Sequence, residues 1–264
     1  MTGEMLQSGQ GDPHRCSYCS AVLNPRFYFC TTCATPYKHE ETVLPHVMPV
    51  RLTEGDLVRQ KAPAVWPMFW TYVAVIVASS LVAEFVFGKD DVFPALVFAM
   101  LSVFVVTCIY SALYWRSLAV QFKVFGLNRS AALVGLLAVF PLLGINYLIY
   151  LAVQQLGLKD PLDSGEVQEL GGAFLFCAFC VFPAVTEEIA FRGLIQQWLS
   201  TAIKPLRAIL LASFLFAALH ASIISLPYLF LVGMLLGWVK WRTNSLYPSM
   251  LIHLVHNWVV LDFF

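Results

Sequence analysis

The sequence predicts an all-α fold, a polytopic transmembrane helical bundle of about seven spans preceded by a small polar head. Three observations predict it. Apolar residues make up 59% of the 264-residue chain and charged residues 12%, against about 25% charged in an ordinary soluble domain. Lys plus Arg and Asp plus Glu number sixteen each, so there is no basic excess to neutralise a run of phosphates, and no nucleic-acid partner is expected. Polarity is also segregated: residues 1–62 are polar and hold four of the seven cysteines, while residues 63–264 alternate long apolar runs with short charged connections.

In the head, Cys16 with Cys19 and Cys30 with Cys33 form two CxxC pairs ten residues apart. Each pair presents two thiolates from one tight turn, and the four together complete a tetrahedral site with no open position, the arrangement of structural zinc. Disulfides fit poorly with a head predicted to lie in the reducing cytoplasm. So small a segment buries little core, which makes the metal the expected source of its folding free energy. His14 and His39 flank the set and are read as surface residues. Residues 1–40 are therefore read as a zinc ribbon, resembling the short ribbons attached to many prokaryotic proteins. Residues 41–62, with Pro45, Pro49 and mixed charge, read as a linker. Cys108, Cys177 and Cys180 lie in apolar runs and read as packing residues.

Residues 63–264 form the membrane domain. A spanning helix needs about 20 mainly apolar residues, since a rise of about 1.5 Å per residue has to cover about 30 Å of hydrocarbon. Seven runs meet or approach this: 64–87, 92–115, 131–156, 171–199, 206–221, 226–241 and 246–264, the fifth and sixth being short. Barrel strands are only about 9 to 11 residues long, with alternating polarity. The connections alternate in charge. Arg51, Arg59 and Lys61 precede the first span; Arg116, Lys123 and Arg129, then Lys204 and Arg207, then Lys240 and Arg242 fall on the same side. The other connections carry Lys89, Asp90 and Asp91, then Lys159, Asp160, Asp163, Glu166 and Glu169. Cationic connections stay cytoplasmic, so the N-terminus is expected in the cytoplasm of a multi-pass cell-membrane protein. No cleavable signal peptide is visible, because residues 1–30 contain no continuous apolar core.

Charged groups inside a span are costly unless paired, hydrated or functional, and here they concentrate in three places. The fourth span holds Glu187-Glu188-Ile189-Ala190-Phe191-Arg192, the fifth ends Phe216-Ala217-Ala218-Leu219-His220, and the seventh holds His253-Leu254-Val255-His256-Asn257. Glu188 and Arg192 are four apart and share a helix face, so they are expected to pair. Glu187 lies about 100° round the helix and is left without that partner, free for acid–base work. His253 and Asn257 share a face, and His256, offset by about 60°, reaches its edge. Pro183, one turn before Glu187, is expected to loosen the backbone ladder and to tilt or break the helix. Counted along idealised spans, Glu187 and His253 fall near mid-membrane and His220 toward the outer end of its helix.

The set EExxxR, FxxxH and HxxxN, in that order on three membrane helices, resembles the CAAX-endopeptidase and bacteriocin-processing family of intramembrane proteases, often called CPBP or Abi proteins. The resemblance covers roughly residues 165–264. It implies a hydrolase in which Glu187 and His220 activate a water, His253 and Asn257 stabilise the oxyanion, and Glu188 with Arg192 hold the site together. It implies a membrane-associated peptide or protein substrate, with the ribbon expected to recruit a cytoplasmic partner or substrate. Peptide hydrolysis needs a base, donors at the oxyanion and an acid for the leaving amine; Glu187 fits the first, and neutral imidazole at His253 with the Asn257 amide fits the second. The family has long been described as metallo, and Glu187, His220 and His253 would be the ligands of such an ion. No HExxH occurs, and a metal-free mechanism is favoured. The competing expectation is a non-catalytic membrane scaffold or partner-binding protein.

Overall fold

The computed structural model describes residues 15–16, 19–22 and 32, then 53–87, 92–124, 128–157 and 171–263. It divides into two units, Met1–Arg51 and Leu52–Phe264. In the first, the described residues outline a tight turn. Ser20 N donates to Cys16 O and Cys16 N to Ala21 O, both at 2.9 Å, and Ser20 is held in left-handed backbone at φ 59°. Cys16 is buried. Cys30 and Cys33 lie outside the described residues.

The second unit is helical. Its first helix, α1 (Glu54–Lys61), falls at the end of the segment read as a linker. Asp56 N donates to the Thr53 hydroxyl at 3.2 Å and Thr53 N to the Asp56 carboxylate at 3.0 Å, a reciprocal cap. The hydrogen bonds from Thr53 hold the Asp56 carboxyl below its usual range. Val58 and Ala62 are buried in the core that also holds Leu199, and Glu54 pairs with Arg207, so the helix is docked and not a free tether.

The seven apolar runs follow as α2 (Val65–Val82), continued by a wider turn at Ala83–Phe87; α3 (Val92–Leu113), with the short α4 (Trp115–Ala119) after it; α5 (Arg129–Gln155); α6 (Gly172–Ala202); α7 (Pro205–Leu219); α8 (Leu226–Thr243); and α9 (Tyr247–Phe263). Each expected run is a helix whose ends agree within three residues, and among the described residues no β-strand forms beyond one bridge between Arg15 and Val22. Among the described residues four helices are long and apolar enough to cross a membrane: Val65–Phe87, Phe93–Leu113, Arg129–Gln155 and Gly172–Ala202. With 15 residues, α7 is about 22 Å long, short of the hydrocarbon thickness.

Large apolar side chains such as Phe85, Phe140 and Leu148 are exposed along α2 and α5, a surface suited to lipid and not to water. The central helix is α6: 39% of its apolar window is buried, against 11–17% for the other three membrane-length helices. Its register against α8 is set by hydrogen bonds to glycine carbonyls. Arg192 Nη2 donates to Gly233 O at 3.3 Å and Gln196 Nε2 to Gly237 O at 3.0 Å, so an i, i+4 pair of donors meets an i, i+4 pair of acceptors. Small residues at this spacing let helices approach closely. A Cβ on Gly233 would lie 2.9 Å from Ser213 Cβ on α7, and one on Gly237 2.8 Å from Gln196 Oε1.

One turn further along α8, Lys240 Nζ donates to Gln197 Oε1 at 2.7 Å and is 4% exposed. Lys240 is thus a buried interhelical donor, not the free connection charge that its position in the sequence suggests. The α4–α5 and α8–α9 connections are locked together near α6 as well: Gln121 Nε2 donates to Gly193 O at 2.7 Å, Leu246 N to Gln121 O at 3.0 Å and Ser245 Oγ to Lys123 O at 2.7 Å.

Because the methyl of Gly233→Ala meets Ser213 side chain and backbone at 2.9 and 3.1 Å, this substitution is expected to lower stability by about 1–3 kcal/mol through overpacking. Gly144→Ala on α5, where nothing lies within 4 Å, is expected to be neutral or stabilising. Thermal unfolding of the two variants in the same detergent micelles checks the contrast.

Candidate active site

The site is built on the middle of α6. The break expected at Pro183 does not occur; the helix runs on, and its hydrogen-bond ladder widens to π geometry at Cys177–Val181 and again at Glu188–Ile195. Such turns recur at functional sites. Pro183 has no N–H to offer Phe179 O, four residues back. Asn257 Nδ2 donates to that carbonyl instead, at 3.0 Å, which ties α9 to the loosened turn.

Glu188 and Arg192 pair as expected, Arg192 Nη1 to Glu188 Oε1 at 2.8 Å, with side chains 1% and 0% exposed. The same carboxylate oxygen accepts from His253 Nδ1 at 3.0 Å. The Arg192 guanidinium lies 4.4 Å over the Phe216 ring, a cation–π contact in a dry setting. Neither Glu188 nor Arg192 lines either of the two cavities described next; they sit behind the site and join α6 to α7, α8 and α9.

Glu187, His220, His253 and Asn257 do face a common space, a cleft of about 370 Å³ that also touches His256. Its walls are apolar: Leu96, Ala99, Met100 and Val103 on α3, and Leu229 and Val232 on α8. Glu187 and His220 also line an adjoining cavity of about 130 Å³ with Tyr72, Ile76 and Thr186. Glu187 Oε2 is buried without a hydrogen-bond partner among the described residues. It lies 3.8 Å from His253 Nε2, beyond hydrogen-bonding distance.

His220 lies at the far end of its helix, as expected, and the shortness of α7 brings that end level with Glu187. Glu187 lies fifteen residues before the end of α6 at Ala202, and His220 lies fifteen residues after the start of α7 at Pro205. Both are therefore about 22 Å along their helices from the α6–α7 turn, at the same level. Ala221, held at φ 51° in a conformation that Cβ disfavours, ends the helix at His220.

Hydrogen-bond partners assign the ring nitrogens. The Phe216 carbonyl can only accept, so His220 Nδ1, 3.0 Å away, carries the proton and Nε2 of the neutral ring is an acceptor. His253 Nδ1 likewise donates to the Glu188 carboxylate, so its Nε2 donates only when the ring is protonated on both nitrogens. The expectation that a neutral imidazole at His253 supplies an oxyanion donor is corrected accordingly. Among the described residues no group of three or more His, Cys, Asp or Glu side chains is placed to hold a metal ion.

Several contributors carried no motif. Tyr72 on α2 donates to the Thr107 hydroxyl, whose own proton goes to Val103 O at 2.9 Å, and its ring walls the smaller cavity. Tyr228 on α8 bonds His256 Nε2. Only proximity in space marks these residues; their spacing in sequence carries no signal.

Arg192→Met is expected to cost about 3–5 kcal/mol, because it leaves a buried carboxylate without its counter-ion. Denaturant unfolding in micelles checks the value, and a loss below about 1 kcal/mol contradicts the geometry described here.

A family described as type II CAAX prenyl endopeptidase, Rce1-like, matches residues 169–259, about a third of the chain and the part that holds all seven residues of the three motifs. No curated protein and no solved structure matches the chain. The match supports a place with the CAAX-type proteases, and together with the four membrane-length helices it supports a multi-pass membrane protein.

Proposed function

We propose that the chain is an intramembrane endopeptidase that hydrolyses peptide bonds of membrane-associated peptides or proteins. The observation that carries this reading is the single cleft shared by Glu187, His220, His253 and Asn257, with the nitrogens of both histidines assigned by their partners. A water between the Glu187 carboxylate and His220 Nε2 would meet two acceptors. It would donate a hydrogen to each and keep a lone pair free for attack. As its oxygen bonds to the scissile carbonyl carbon, one proton passes to Glu187 and the carbonyl electrons move onto oxygen. That oxyanion faces a donor at Asn257 Nδ2 and, with the ring doubly protonated, at His253 Nε2, where a dry setting strengthens both interactions. Collapse breaks the C–N bond, and the proton held by Glu187 goes to the leaving amine.

Glu188 and Arg192 act by fixing His253, not by touching substrate. The bundle is read as seven spans with the N-terminus in the cytoplasm and the protein in the cell membrane. The clustering of the α4–α5 and α8–α9 connections beside α6, with Lys123 in the first and Arg242 in the last turn before the second, supports that orientation. The first unit is read as a zinc ribbon that recruits a cytoplasmic partner or substrate. The Cys16–Ala21 turn, which brings Cys16 and Cys19 onto one knuckle, supports the zinc.

Glu187→Gln is expected to lower turnover about 10²–10⁴-fold while leaving thermal unfolding unchanged, because Glu187 Oε2 makes no hydrogen bond. The assay reconstitutes both proteins with membrane-anchored peptides, a farnesylated CAAX peptide among them, and reads products by mass. Equal processing by the variant would eliminate the base and favour a non-catalytic scaffold. A strong chelator is expected to leave the activity of a form lacking residues 1–45 intact; activity lost on chelation in that form overturns the metal-free reading.

A further inference from the structure

We propose that His256 and Tyr228 are positioning residues that fix the side-chain amide of Asn257 so that it offers an N–H, not its oxygen, to the cleft. This rests on the reading of Asn257 as an oxyanion donor.

The direction of every bond in the set follows from one group that cannot change its role. Phe179 O can only accept, so the atom 3.0 Å from it is the Asn257 nitrogen. The Asn257 oxygen then points the other way and meets His256 Nδ1 at 2.8 Å. That ring nitrogen must therefore be the protonated one. In the neutral ring Nε2 is then an acceptor, and its partner, the Tyr228 hydroxyl, must donate. The sequence Tyr228 O–H to His256 Nε2, His256 Nδ1–H to Asn257 Oδ1, and Asn257 Nδ2–H to Phe179 O is complete and has one direction.

An amide nitrogen has two hydrogens. One goes to Phe179 O, and the second remains on the half-buried Asn257, which lines the cleft with Glu187, His220 and His253. If the amide turned over, its oxygen would face a developing oxyanion and repel it. The turned amide would set Nδ2 against His256 Nδ1–H and Oδ1 against Phe179 O, donor against donor and acceptor against acceptor. His256 is 5% and Tyr228 4% exposed, so neither has water at hand to relieve that mismatch.

Two measurements test this on the full-length protein in micelles. The first needs no substrate: ¹⁵N shifts of the imidazole nitrogens of His256 in the wild-type protein. Protonated Nδ1 with acceptor Nε2 is expected; the opposite tautomer overturns the proposal. The second is the hydrolysis of an internally quenched farnesylated CAAX peptide. His256→Leu, which removes the donor to Asn257, is expected to lower kcat about a hundredfold with KM little changed. His256→Asn, which keeps an N–H near the Nδ1 position, is expected to recover most of that loss, and His256→Leu is expected to add little in an Asn257→Ala background. Equal losses in the Leu and Asn variants, or losses that multiply with Asn257→Ala, overturn it. An Asn257→Ala protein that hydrolyses the peptide at the wild-type rate removes the oxyanion role itself, a failure of the underlying reading that leaves the tautomer measurement to decide the holding interaction.

Discussion

One carboxylate oxygen, Glu188 Oε1, is the point on which this bundle turns. It forms an ion pair with the Arg192 guanidinium on its own helix at 2.8 Å and takes a hydrogen bond from His253 on α9 at 3.0 Å. Arg192 extends the contact to the backbone of α8 at Gly233 and to the ring of Phe216 on α7. Four helices thus converge on a single ion pair in a place without water. Such a pair need not add stability relative to an apolar core of the same volume, since desolvation offsets its attraction. What it does is forbid alternatives: any slip of α9 or α8 against α6 strands a charge, and this fixes the ring of His253 relative to Glu187.

This constraint explains why the two adjacent glutamates differ so much in surroundings. Glu188 is enclosed by a guanidinium and an imidazole. Glu187, one position earlier, is turned by the helix into the cleft, where its Oε2 has no partner among the described residues. Identical side chains acquire opposite roles because a helix rotates by a large angle per residue. The first is spent on architecture, and the second is left for chemistry.

Much of this was legible in the sequence. The apolar runs became helices at nearly the expected places, because run length is a sufficient signal when the surroundings are lipid. The Glu188–Arg192 pair followed from helical spacing alone. Other features were hidden for identifiable reasons. The match of Gly233 and Gly237 to Arg192 and Gln196 depends on the relative register of two helices 41 residues apart, and no single-helix pattern encodes it. Lys240 reads as a connection charge because only its three-dimensional neighbour, Gln197, reveals that it is buried. That His220 stands level with Glu187 depends on where the turn between α6 and α7 falls, which the motifs do not state. The tautomer of His253 depends on which group lies opposite Nδ1, information that a motif of letters does not contain.

The cleft has a further property that follows from the origin of its walls. Every polar group that faces the cleft or its adjoining cavity, apart from Tyr72, belongs to α6, α7 or α9, within the segment that matches the protease family. One apolar side, from Leu96 to Val103, together with Tyr72 and Ile76, comes from α3 and α2, outside that segment. Part of the cleft's shape is therefore written outside the stretch that carries most of its polar groups. Substitutions in the first two membrane helices can reshape what the cleft admits while those polar groups stay as they are.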